Sequence, residues 1–242
     1  MSDSPVAIVT GSSSGIGATI AARLTDAGYR VAVNSARSQE AGEAVAAKLD
    51  GAIYVRADVS QAAQARELVA TTVDQLGRLD LLVNNAGITK AIPHSDLESA
   101  TAEVWRSILD VNVVGTWEMI TAAVPELRRS GGGSIVNISS IAGSRPAGSS
   151  IPYAVSKAAI NHMTRLLAAT LGPEVRVNAV APGLIDTEWT ASFTEAREWM
   201  ATTAPLKRVG TTDDVATMVL ALAQAEFTTG EIILVDGGTH LR

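Results

Sequence analysis

At 242 residues the chain is long enough to bury a sizeable core within one domain. Its apolar share of 47% with 4% aromatics suits a helix-covered sheet packed with Ala, Val, Leu and Ile. A net charge of −6 without a basic block argues against a nucleic-acid surface, and the lack of cysteine excludes disulfides, thiolate metal sites and thiol nucleophiles.

In chain order, apolar runs predict strands over 6–9, 31–34, 52–56, 81–83, 134–138, 175–180 and 232–235. Helical periodicity predicts helices over 15–27, 39–49, 61–76, 102–129, 153–171 and 213–223. The strands are nearly continuous in apolar residues, as expected where helices cover both faces of a sheet. Their alternation with helices predicts an α/β fold, a Rossmann-type doubly wound parallel sheet of about seven strands. No repeat or linker interrupts it, so residues 1–242 read as one domain, with a lid over about 186–206. The opening MSDSPVAIVTG lacks the charged start and apolar core of a signal peptide, and no apolar run approaches a membrane span. A cytoplasmic protein without membrane attachment is expected.

Three local patterns carry chemistry. The run TGSSSGIG, residues 10–17, follows the first strand and opens a helix. Gly11, Gly15 and Gly17, with Ser13, Ser14 and Ile16 between them, allow a tight turn that brings backbone N–H groups to a pyrophosphate. At the end of the second strand an acidic side chain would hold a ribose 2′-hydroxyl and repel a 2′-phosphate. The sequence there is Asn34, Ser35, Ala36, Arg37 and Ser38, with no carboxylate until Glu40. A guanidinium and hydroxyls suit a phosphate, so NADP is expected rather than NAD; the alternative for Arg37 is a solvated loop arginine. Finally, Tyr153 and Lys157 stand four apart on one helix face. An ammonium beside a phenol favours the phenolate, which would bring the Tyr153 pKa down toward neutrality.

These runs, with NNAG at 84–87, Asn112 and Ser140, resemble the short-chain dehydrogenase/reductase family in order and approximate spacing from residue 6 to about 238, closest to its 3-oxoacyl-acyl-carrier-protein reductase-like members. The resemblance implies a catalytic set of Asn112, Ser140, Tyr153 and Lys157 acting with a nicotinamide dinucleotide. Tyr153 would exchange a proton with the carbonyl or alcohol oxygen, Ser140 would bind that oxygen, Lys157 would tune Tyr153 and hold the cofactor ribose, and Asn112 would serve a proton relay through local unwinding of its helix. The family interval of thirteen residues to the tyrosine selects Ser140 over Ser139. The resemblance also assigns cofactor contacts to Asp58 and Val59, to Asn85, Ala86 and Gly87, and to Pro182, Gly183, Ile185 and Thr187. Asp58 has an equal alternative as a helix cap.

It further implies a small-molecule carbonyl or alcohol substrate, an acyl thioester among the candidates, and a homotetramer paired through the helices at 102–129 and 153–171, where Ala158, Ala159, Ala168 and Ala169 would allow close approach. Ketone, sugar or steroid dehydrogenases share the same motifs, and a non-enzymatic nucleotide-binding scaffold is the alternative of another class. The histidines have no metal-ligand spacing, so no metal is expected. Trp189, Phe193 and Trp199 crowd the lid and read either as an apolar substrate pocket or as packing of the lid on the body. The lid charges Asp186, Glu188, Glu195, Arg197 and Glu198 are mostly acidic, which predicts that an anionic small acid is poorly received.

Overall fold

The computed structural model describes residues 4–242. Its strands are β1 (Val6–Val9), β2 (Arg30–Ser35), β3 (Ile53–Arg56), β4 (Leu81–Asn84), β5 (Gly133–Ile138), β6 (Val175–Pro182) and β7 (Ile232–Val235). Its α-helices are α1 (Gly15–Asp26), α2 (Gln39–Ala46), α3 (Ala62–Leu76), α4 (Ala102–Leu109), α5 (Thr116–Arg129), α6 (Ile151–Leu171), α7 (Thr194–Thr203) and α8 (Thr212–Gln224). The seven strands form one parallel sheet in the order β3-β2-β1-β4-β5-β6-β7. This is the doubly wound fold that the alternation of elements predicts. The chain runs outward from β1 to β3, then crosses to β4 on the other side of β1. The carboxyl ends of β1 and β4 therefore border the crevice where such sheets bind ligands.

Alternation along each strand divides the core between the two faces. Val9, Val83 and Val180 pack with Ile20 and Leu24 of α1 and with Val215 and Val219 of α8. Ile8, Leu82, Ile135 and Val177 pack on the opposite face with Leu68 of α3, Met119, Ile120 and Leu127 of α5, and Leu171 of α6. At about 25 cal/mol per Å² of apolar surface, these two layers are the main stabilising contribution.

Three predicted boundaries shift for local reasons. Helix α6 begins at Ile151 because Ser150 caps it, its hydroxyl accepting from the Tyr153 N–H at 3.4 Å, and Pro152 fits the first turn. The lid contains α7, which the sequence reading leaves as irregular. The predicted helix over 102–129 is not continuous: Asp110–Gly115 is a π-helical stretch between α4 and α5. Among the described residues no helix is long and apolar enough to cross a membrane.

Candidate active site

The turn after β1 is built as a phosphate cradle. Gly11 and Gly15 adopt φ of +60° and +55°, values that side-chain-bearing residues avoid. A Cβ on Gly17 would lie 2.4 Å from the Gly11 carbonyl oxygen. The Ser14 N-cap makes no side-chain cap bond, and the first turn of α1 carries no acidic residue. Its N–H groups are thus left for an anion, which fits a nicotinamide dinucleotide. Neighbouring strands brace the turn. Asn85 donates to the carbonyls of Thr10 and Gly11, both at 2.9 Å. Asn34 accepts from Gly11 N–H at 3.3 Å and donates to the carbonyls of Val55 and Ala57 at 3.1 and 3.0 Å. The Asn85 amide is spent on this bracing, whereas Ala86 packs against Gly11 and Gly87 lines the cleft.

At the end of β2, Arg37 and Ser38 are exposed and line a depression at the N-terminus of α2. The Ser35 hydroxyl is engaged with the Ser38 carbonyl and the Tyr54 hydroxyl at 3.0 and 2.9 Å. It shapes the turn and has little left for a ligand. Sequence reasoning missed Arg56, whose register opposite Ser35 brings its guanidinium to the Ala36 carbonyl at 3.2 Å. Only strand pairing reveals that neighbour. The Asp58 carboxylate accepts from the Ser60 N–H and hydroxyl at 3.0 and 2.7 Å, which closes the turn before α3; the helix cap itself is Gln61, without a side-chain cap bond. Val59 is buried beneath Gly115.

A cleft of about 1050 Å³ runs from Ile16 and Gly87, past Ser140, Tyr153 and Lys157, to the lid. Pro182, Gly183, Ile185 and Thr187 line it where β6 ends. Ser140 leaves β5 in extended backbone, so its neighbour Ser139 points the other way. Ser139 donates to Asn161 at 2.6 Å and is 3% exposed, while Ser140 reaches the Tyr153 phenol. Both serines border the cleft, and the Ser139 hydroxyl is the one spent on Asn161.

Lys157 is 5% exposed and donates to the Ile138 carbonyl at 2.8 Å. Its nitrogen lies 5.6 Å from the Tyr153 ring centroid. Burial lowers the ammonium pKa to about 8. Burial raises the Tyr153 phenol, opposed by the hydrogen bond from Ser140. For Tyr153 the direction is upward, set by burial, and the Lys157 ammonium is held on a strand carbonyl.

Asn112 sits in the π-helical stretch, 1% exposed. Its Oδ1 accepts from Ile88 N–H at 2.8 Å, and its Nδ2 donates to the Ile88 carbonyl and to the Ser156 hydroxyl, both at 3.0 Å. The side chain thus clasps the chain beyond β4 to α6. Ser156, Lys157, Asn161 and Thr164 form a buried polar stripe on α6, and Asn137 links Thr164 to Asn84 at 3.0 and 2.9 Å. Polar residues recurring at helical spacing in a buried face were the available signal for this network.

The lid aromatics Trp189, Phe193 and Trp199 all line the cleft, and Trp189 meets Tyr153 edge-on at 6.5 Å between centroids. The lid charges do not all face the cleft. Asp186 is paired with Arg197 at 2.8 Å, and Glu195 is the single side-chain carboxylate among the described residues that line the cleft.

A family model described as enoyl-(acyl carrier protein) reductase matches residues 11–240. A Streptomyces violaceoruber protein named as a ketoacyl reductase of the granaticin polyketide synthase is 63% identical over 99% of this chain and 97% of its own length. A 3-oxoacyl-acyl-carrier-protein reductase of Staphylococcus aureus is 37% identical over 97% of this chain and 98% of its own. The solved structure of a short-chain dehydrogenase/reductase from Burkholderia xenovorans superposes with a TM-score of 0.94 at 36% identity, covering all of both chains. With the glycine turn, the switch-point crevice and these relatives, the chain belongs to the short-chain dehydrogenase/reductase family of NAD(P)-using oxidoreductases.

Proposed function

We propose that this protein is an NADPH-dependent ketone reductase, and that its substrate is a 3-oxoacyl thioester or a related apolar ketone. The observation that carries the reading is the meeting of Tyr153, Ser140 and Lys157 on one wall of a cleft continuous with the glycine turn. The relatives named for ketoacyl and 3-oxoacyl reduction support the substrate class. When bound, the nicotinamide dinucleotide supplies the hydride to the carbonyl carbon. Tyr153 donates its proton to the carbonyl oxygen, and Ser140 hydrogen-bonds that oxygen, so the product is the secondary alcohol. A phenol whose proton is held on by burial suits this direction. Lys157 places positive charge beside the phenol and would hold the cofactor ribose. Asn112 positions α6 against the chain beyond β4. Arg37 and Arg56, with no carboxylate at the end of β2, favour the 2′-phosphate of NADPH. A cysteine-free chain drawing on NADPH suits the cytoplasm, where the functional form would be a homotetramer.

The test is a panel of acetoacetyl thioester, aliphatic and aryl ketones, sugars, steroids and an enoyl thioester with each dinucleotide. The acetoacetyl thioester is expected to be reduced fastest, with kcat/KM at least about tenfold higher for NADPH than NADH, and Arg37→Ala is expected to remove most of that preference. Equal or NADH-favouring values overturn the cofactor assignment. Reduction of the enoyl bond in place of the ketone overturns the reaction.

A further inference from the structure

The far lining of the cleft comes from two segments that the reduction chemistry does not use: the loop at 144–149 and the 3-10 turn Thr239–Leu241 after β7. Both bring groups able to carry positive charge. Arg145 is exposed, lines the cleft, and has no carboxylate within ion-pair distance among the described residues. His240 lines the same cleft, with its Nδ1 at 2.9 and 3.1 Å from the two oxygens of Asp236. A carboxylate only accepts, so Nδ1 carries a hydrogen and Nε2 is the ring edge not committed to Asp236. Asp236 is 5% exposed and also accepts from the N–H groups of Gly238 and His240 at 3.0 and 2.8 Å. The turn is therefore anchored by its backbone, and the imidazole is held in one orientation. Arg242 lines the cleft as well, and Glu195 is the one side-chain carboxylate among the described residues that line it.

We propose that the cleft selects carbonyl substrates whose far end is anionic, a carboxylate or a phosphate, gripped by the Arg145 guanidinium. The inference rests on the carbonyl-reductase reading and adds what lies beyond the ketone. A guanidinium offers paired donors to either anion. The apolar stretch at Trp189, Phe193 and Trp199 then accommodates the part of the substrate between the ketone and the anion. This reverses the expectation drawn from the acidic lid, because the lid carboxylates other than Glu195 do not line the cleft.

Two matched pairs carrying the same reducible ketone test it: acetoacetate with methyl acetoacetate, and acetoacetyl-coenzyme A with its N-acetylcysteamine thioester. Steady-state kinetics with NADPH are paired with ligand titrations of the protein, read from tryptophan fluorescence, because Trp189 and Trp199 line the cleft. The anionic member of at least one pair is expected to show the lower KM. Arg145→Ala should raise that KM about tenfold, the loss expected of a charge-assisted hydrogen bond, with kcat nearly constant and the neutral member shifted several-fold less. Glu195→Gln should move the anionic KM downward. A response confined to acetoacetate identifies the anion as a carboxylate, and one confined to the coenzyme A ester identifies a phosphate. Equal KM values within both pairs overturn the proposal while carbonyl reduction stands. Failure to reduce any of the four sinks the reductase reading, and the fluorescence titrations then decide anion binding alone: equal affinities within both pairs overturn it.

Discussion

Burial raises the Tyr153 phenol and lowers the Lys157 ammonium to about 8, two shifts of opposite sign with one cause. The folded pKa of Lys157 lies below its ordinary 10.5, so between pH 8 and 10.5 the unfolded chain binds the extra proton and stability rises with pH. Below pH 8 the buried ammonium costs stability in full. Lys157→Met is therefore expected to melt higher than the wild type at pH 7, by ~5 °C, with the gap closing toward pH 10. It should also lose turnover. Thermal melts at both pH values check this, and a variant that melts lower at pH 7 would contradict it. Tyr153→Phe keeps the ring and removes the transferable proton. Its kcat should fall at least about a hundredfold while dinucleotide affinity, measured by titration, stays near that of the wild type. Retention of substantial turnover would remove Tyr153 from proton transfer.

Elements place these residues through rules that differ in how local they are. The exit of β5 is extended, so adjacent serines face opposite ways: the Ser139 hydroxyl is spent on Asn161, and Ser140 lies toward Tyr153. Ser140→Ala is expected to lower kcat by about a hundredfold, as for removal of one donor to a developing oxyanion. Ser139→Ala should chiefly lower the melting temperature, because it leaves Asn161 without its 2.6 Å partner. The reverse pattern would exchange their roles. At the start of α1 the close approach of Gly17 to Gly11 leaves no room for a methyl group. Gly17→Ala should weaken dinucleotide binding and stability together, read by titration and melting; unchanged affinity would show that the cradle does not hold the cofactor. The π-helical stretch was not legible in the helical period of 102–129, because the apolar pattern continues on both sides of it. Its function there becomes visible only through what Asn112 reaches: Ile88, 24 residues away, and Ser156, 44 away.

The whole molecule leaves apolar side chains exposed along its long helices. Val114, Trp117, Val155 and Leu166 are 42%, 46%, 44% and 56% exposed. Of the alanines expected at a helix-pairing face, Ala158 and Ala169 are exposed, Ala159 is half-buried, and Ala168 is spent in the core. A second copy covering this face would bury apolar surface that a monomer leaves in water. Light scattering is expected to give a species of about four times 25.0 kDa, and Trp117→Glu with Leu166→Glu should reduce it. A lone 25.0 kDa species at micromolar concentration would contradict the tetramer.

The order of strands and helices, the glycine turn, the Tyr153–Lys157 pair and the family were legible in the chain by itself. Each depends on residues close in sequence: apolar runs, positive-φ positions and the four-residue helical repeat. Partnerships across the sheet were not. That Asn34 and Asn85 brace the turn, that Arg56 neighbours Arg37's loop, and that Lys157 rests on Ile138 all follow from which strands lie side by side. The charge of the cleft belongs to the same class. Composition counted the lid's carboxylates, but folding turned Asp186 toward Arg197 and brought Arg145 and His240 into the lining, because a cleft's field is set by the side chains that face it and not by those nearest in sequence.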